Sequence, residues 1–290
     1  MDYKKVEEHG SDLILTDIKN FILPQVLDNG QCFRWQTGIE GEPDINTYTG
    51  IAHGRLLTVS LDKTLPKGYR LIFKNTSKNE FETIWCDYFD LHRDYGKLRK
   101  LYTKEPTLKN AIAHSPGLRL MRQDPWETLV TFILSQNSNI PRIRGMVSRL
   151  CQNFGKPLPA ANGKTVFAFP LPADLANKTV EELADVKTGY RAPYIIDAAK
   201  RVADGRINFE KFSSLSTDEL KTELMGIHGV GPKVADCVLL YGFGRIEQYP
   251  MDVWMKRVME TYYPNGFPED IKDTAGIAQQ FLFHYIRTKD

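Results

Sequence analysis

The stretch Leu224-Met225-Gly226-Ile227-His228-Gly229-Val230-Gly231-Pro232-Lys233-Val234-Ala235-Asp236-Cys237 constrains this chain more than any other part of it. Just upstream, Ser216-Thr217-Asp218-Glu219 has the spacing of a capping box, and Leu215 and Leu220 occupy the two positions of a hydrophobic staple. A helix therefore starts there and should end near Met225 or Gly226. Two glycines separated by one valine then permit a tight turn with backbone angles that other residues resist. Pro232 suits the first turn of a second helix, where its missing N–H is no loss. The exposed amides and positive helix end of such a hairpin can hold a phosphate without a basic side chain.

Composition narrows the alternatives. Lys+Arg 38 against Asp+Glu 36 is neither a polybasic tail nor an acidic disordered chain. With 290 residues, 42% hydrophobic, the chain can bury a sizeable core, as two modest domains or one large one. No run approaches the roughly 18 apolar residues of a membrane span. The N-terminus, Met1-Asp2-Tyr3-Lys4-Lys5, lacks the apolar stretch of a secretory signal, so an intracellular setting is expected. Cys32, Cys86, Cys151 and Cys237 form no Cys-x-x-Cys pair, which argues against a zinc ribbon or iron–sulfur cluster and for a reducing compartment. Phosphate-binding Gly-Lys-Ser/Thr loops, a dinucleotide fingerprint and His-Glu-x-x-His are also absent. No metal or cofactor is expected.

The two parts of the chain read differently. Up to about Lys74, short β-type runs (Asp12–Leu15, Gln31–Trp35, Thr47–Ala52, Leu56–Leu61, Tyr69–Phe73) are broken by turn signals such as Asp28-Asn29-Gly30 and His53-Gly54. Such short spacings predict an antiparallel sheet. Phe81, Ile84, Trp85, Tyr88 and Phe89 then mark a helix with one apolar face. From about Pro106 helical signals dominate: Asp124-Pro125-Trp126-Glu127 and Thr179-Val180-Glu181-Glu182 both read as helix starts. Residues 155–172 read as a surface loop. The expected organisation is α+β: an antiparallel sheet domain over 1–105, then an all-α body over 106–290 with its hairpin at 217–245.

Lys233 sits in the first turn of the second hairpin helix, where a cation has the wrong sign for the helix dipole, a place that suits a nucleophilic amine. Asp252 follows nineteen residues later in Pro250-Met251-Asp252-Val253, as the N-cap of a further helix. A capping carboxylate is held rigidly, which suits an electrostatic role. These segments resemble the helix-hairpin-helix DNA glycosylases with a Gly/Pro-rich loop and catalytic Asp, and within them the 8-oxoguanine DNA glycosylases. Further blocks carry the resemblance in order along the chain. They are Gly30-Gln31-Cys32-Phe33-Arg34-Trp35, Leu120–Pro125, Ser135-Gln136-Asn137-Ser138-Asn139-Ile140-Pro141-Arg142-Ile143, Gly189-Tyr190-Arg191-Ala192 and Gly276–Phe283.

The resemblance implies roles. Lys233 would be the nucleophile and Asp252 its electrostatic partner. Duplex DNA containing 8-oxoguanine would be the substrate and binding partner of a monomer. The lesion base would be flipped into a pocket of Gly30, Cys237, Gln279, Phe283, Met251 and Trp254. Gly30's carbonyl would accept from the N7–H that 8-oxoguanine has and guanine lacks. Asn137 would enter the vacated stack, with Arg142 and Arg191 donating to the estranged cytosine and Tyr190 wedging beside it. His228, Gly229, Val230 and Gly231 would hold a phosphate.

Two departures from the family pattern stand out: Trp254 where a histidine is usual, and Asn137-Ser138-Asn139 for a triple Asn. Three rivals remain. An alkylpurine glycosylase would usually lack the lysine. An endonuclease III-like or adenine-mismatch relative would carry a four-cysteine cluster, yet 238–290 has no cysteine. A noncatalytic hairpin module would not need Lys233, Asp252, Gln279 and Phe283 together.

Overall fold

The computed structural model describes residues 1–38, 44–64, 68–159 and 165–289. Six strands form one sheet: β1 Lys5–His9, β2 Asp12–Ile18, β3 Trp35–Thr37, β4 Thr47–Ala52, β5 Arg55–Asp62 and β6 Tyr69–Phe73. Their order is β1-β2-β6-β5-β4-β3, and β1/β2, β2/β6, β5/β6 and β3/β4 pair antiparallel. The register opposes Leu13 and Val59 to Phe73, and Leu15 and Leu61 to Leu71, so alternate residues line one buried face. Of the expected strands, Gln31–Trp35 differs most: β3 starts only at Trp35, because Gln31 and Cys32 make loop hydrogen bonds. β1, with a mostly exposed and polar sequence, gave no alternating signal.

An aromatic cluster packs behind the strands. Phe21, Trp35, Phe73, Phe81, Trp85, Tyr88 and Phe89 are all buried, with rings in edge-on or tilted contact. The expected apolar helix is the run Lys78–Glu80, Phe81–Trp85 and Cys86–Tyr88, whose middle turn is π-helical.

Contacts divide the chain into two compact units that do not follow chain order. The first comprises Met1–Gly50, Leu57–Arg122 and Ile246–Asp290; the second comprises Ile51–Leu56 and Gln123–Arg245. Within the first unit the C-terminal segment is tied in by Tyr102, whose hydroxyl donates to Thr274 O at 3.0 Å, and by the Tyr263–Glu105 hydrogen bond. Its last helix, Ala275–Thr288, is buried over Ala275–Leu282.

The second unit is helical. Asp124 caps the buried helix Pro125–Leu134 by accepting from Glu127 N at 2.8 Å, and Asn139 caps Ile140–Phe154 by accepting from Arg142 N at 3.0 Å. The capping box at Ser216/Glu219 starts Thr217–Met225 as predicted. At Thr179/Glu182 the reciprocal bonds also form, but only a 3-10 turn, Ala184–Val186, follows, since Lys187 at φ 61° ends it before an α-helix can propagate. Within the expected loop, Pro157–Leu158 pairs with Val166–Phe167 as a small ribbon, and 160–164 lie outside the described residues. Among the described residues, no helix is long and apolar enough to cross a membrane.

Candidate active site

The hairpin joins Thr217–Met225 to Pro232–Cys237. Gly229 lies at φ 81°, and a Cβ there would stand 2.3 Å from Tyr194 Cγ, so only glycine fits. Gly231 differs from expectation. At φ −94° and ψ −179° it is extended backbone open to other residues, and it serves as the N-cap of the second helix. The turn is pinned by His228 N donating to Asp197 Oδ2 (3.1 Å), Val230 N donating to Ile227 O (3.0 Å) and Gln136 Nε2 donating to Gly229 O (3.1 Å). Among the described residues the amides of Gly229 and Gly231 meet no protein acceptor, which leaves two donors for a ligand. The hairpin helices are joined by an ion pair, Lys221 Nζ to Asp236 Oδ1 at 2.7 Å. Burial pushes the Asp236 carboxyl above its ordinary range, against the pull of Lys221.

Lys233 occupies the second position of its helix and is half-buried. Its amine donates to Ser135 Oγ at 3.4 Å and lies 5.0 Å from the centre of the Phe132 ring. Among the described residues no carboxylate stands within ion-pair distance of it. Cys237, one turn further on, is buried.

Asn137, Tyr190 and Arg191 come together. Asn137 stands at φ 46°, exposed, and donates through Nδ2 to Tyr190 Oη at 3.2 Å. Arg191 is only 2% exposed. Its Nε donates to Gln136 O (3.0 Å), its Nη1 to Thr188 O (3.0 Å), and its Nη2 to Gln136 O and to Asn137 O (3.3 Å). Its guanidinium also sits 4.5 Å from the Tyr190 ring centre. In this structure Arg191 thus holds the backbone that presents Asn137, whereas Arg142 is exposed.

The remaining residues lie in the first unit. Gly30 takes φ 89° in a turn held by its neighbours: Asn29 Nδ2 donates to Gln25 O (2.7 Å), and Asn29 Oδ1 accepts from Gln31 N (3.1 Å). Asp252 caps Val253–Tyr262, accepting from Met255 N at 2.8 Å, and is half-buried, as is Met251. Trp254 is 42% exposed, with the Arg257 guanidinium 5.6 Å from its ring. Gln279 is 2% exposed, and among the described residues its Oε1 has no hydrogen-bond partner. Phe283, one turn on, is half-buried under Arg287.

Ser135, Gln136 and Tyr194 are the positions that the sequence reading did not single out. The first two precede Asn137 in the segment Ser135–Ile143, and that adjacency is the available signal. Among the described residues no group of three or more His, Cys, Asp or Glu side chains could hold a metal ion.

Residues 13–129 match the model of the 8-oxoguanine DNA glycosylase N-terminal domain, and 130–277 that of the HhH-GPD superfamily base excision DNA repair protein. The solved structure of MBOgg1 in complex with a low-affinity DNA ligand is 44% identical, with TM-score 0.90, covering 100% of this chain and 99% of that one. The Clostridium acetobutylicum 8-oxoguanine glycosylase/lyase, bound to double-stranded DNA containing cytosine opposite 8-oxoG, is 34% identical, with TM-score 0.88 and the same coverage. The N-glycosylase/DNA lyase of Saccharomyces cerevisiae is 35% identical over 158 residues, 51% of this chain; the match spans 42% of the yeast protein's length. The chain belongs to the 8-oxoguanine DNA glycosylases of the HhH-GPD superfamily of base excision repair proteins.

Proposed function

We propose that this protein excises 8-oxoguanine from duplex DNA and then cleaves the abasic site by β-elimination. One observation carries the reading. Among the described residues, a lysine amine without a carboxylate partner stands in the first turn after a hairpin whose Gly229 and Gly231 amides are unsatisfied. An amine so placed is a nucleophile beside a phosphate site rather than half of a salt bridge.

The hairpin amides hold a backbone phosphate, which fixes register without reading sequence. The lesion nucleotide leaves the stack, Asn137 fills its place, and Tyr190, 51% exposed, wedges beside it. Arg142 donates to the acceptor edge of the estranged cytosine. Arg191 supports this from beneath, through the carbonyls of Gln136 and Asn137, and presents what donor capacity remains. The flipped base meets Gly30's carbonyl at N7–H, Gln279 on its Watson–Crick edge, and Phe283 and Cys237 on its two faces. Met251 and Trp254 complete the pocket. The buried, unpartnered Oε1 of Gln279 supports its part, because such an acceptor is costly without a ligand.

In the chemical step, the Lys233 lone pair forms an N–C1′ bond as the bond from C1′ to the base breaks. The bonding pair leaves on the base, which takes up the proton that the newly bonded, positively charged nitrogen gives up. Positive charge growing on the sugar is opposed by the Asp252 carboxylate, held in place by its cap. The nitrogen lone pair then expels O4′, breaking the C1′–O4′ bond while O4′ takes a proton from water, and the opened sugar is held as a protonated imine on Lys233. That imine acidifies the C2′ proton, and loss of this proton expels the 3′ phosphate. In chain order Gly30 comes from the sheet domain, 1–105, and the rest from the body, 106–290, whose segment Ile246–Asp290 is grouped with the sheet residues. The working form is a monomer on genomic DNA.

A panel of duplexes tests this reading: 8-oxoguanine opposite C, T, G or A, undamaged guanine, and an alkylpurine. Release of 8-oxoguanine, fastest opposite C, is expected. Faster release of the alkylpurine would overturn the lesion assignment.

A further inference from the structure

We infer that Gln136 is a positioning residue that couples the hairpin to the Asn137 turn, so that seating a phosphate and inserting Asn137 become one event. The inference rests on the reading of both segments as DNA contacts. Gln136 is half-buried just beyond the helix Pro125–Leu134. Its Nε2 donates to Ile133 O (3.2 Å) and reaches across to Gly229 O (3.1 Å). The Gly229–Val230 peptide is therefore held from both sides: its oxygen by Gln136, its N–H by Ile227 O. The adjacent amides of Gly229 and Gly231 owe their aim to this fixed plane.

The backbone oxygen of the same residue is the main acceptor of the Arg191 guanidinium, which continues to Asn137 O. Asn137 stands at positive φ, a conformation that a non-glycine residue keeps when its surroundings enforce it. One residue thus touches both devices, with its side chain on the hairpin and its carbonyl on the clamp that presents Asn137. Truncating the side chain cuts the first link and leaves the carbonyl, so the two functions can be separated.

The probe is a duplex with a tetrahydrofuran abasic-site analogue opposite 2-aminopurine, whose fluorescence rises when Asn137 enters and the opposite base unstacks. The parent should give that rise on binding, and Asn137→Ala should abolish it. Gln136→Ala and the near-isosteric Gln136→Glu, which cannot donate to Gly229 O, should keep the affinity within about fivefold, the weight of one hydrogen bond. Both should lose most of the rise. A full rise in Gln136→Glu, or a rise and an affinity that fall in proportion with a lowered melting midpoint, would overturn the coupling. The probe carries no excisable lesion, so the two readings fail separately. A parent that shows the coupling but releases no 8-oxoguanine refutes the lesion reading alone. One that releases 8-oxoguanine without any rise refutes the coupling alone.

Discussion

Two buried glutamines in the first unit occupy regions built to opposite ends. Around the Gly30 turn, Gln31 is fully enclosed and fully engaged. Its Nε2 donates to Val26 O and Arg119 O at 2.8 Å each, and its Oε1 accepts from Met121 N at 2.9 Å. In the helix Ala275–Thr288, Gln279 is almost as enclosed, yet its Oε1 has no partner among the described residues. Burying an amide without its hydrogen bonds is unfavourable, so folds rarely retain one without a use. The first glutamine holds a turn in shape; the second leaves an acceptor unpaired, as the proposed base pocket requires. Residue type and burial are shared, and hydrogen-bond satisfaction is what separates these two glutamines.

The comparison can be broken most forcefully at Gln31. Gln31→Leu strands two carbonyls and an N–H inside the first unit, and should lower unfolding stability by about 3–4 kcal/mol in a denaturant titration. Asp252→Asn comes next. Asparagine caps a helix about as well as aspartate, so stability should stay within a few tenths of a kcal/mol, while single-turnover excision falls on the order of 10²-fold. An equal loss of both would make Asp252 a cap and nothing more. The smallest effect sharpens the contrast. Gln279→Leu removes an unsatisfied acceptor, so the melting midpoint should hold or rise by about 1 kcal/mol equivalent, while 8-oxoguanine release slows about tenfold. A destabilisation as large as that of Gln31→Leu would erase the distinction between the two regions.

Much of this was legible in the sequence, for local reasons. Caps and staples act within one helical turn, so the starts at Asp124 and Ser216 could be read directly. Thr47–Ala52 and Tyr69–Phe73 were bounded by turn signals and matched their strands. What escaped depends on contacts between distant segments. The grouping of Ile246–Asp290 with the sheet residues follows from packing that no local pattern encodes. The inward turn of Arg191 could not be foreseen either, because besides Thr188 O its acceptors are the backbone carbonyls of Gln136 and Asn137, some 55 residues away. Nothing local marks the link of Gln136 to Gly229, 93 residues away. Gly231 was read as a conformational twin of Gly229, and only the backbone angles separate the two.

The central claim is that the Lys233 amine bonds covalently to the sugar, and borohydride trapping tests it most directly. Incubated with a duplex containing 8-oxoguanine and reduced, the parent should give a stable protein–DNA adduct that maps to Lys233, and Lys233→Gln should give none. Equal trapping of Lys233→Gln, or an adduct that maps to another residue, would contradict the account.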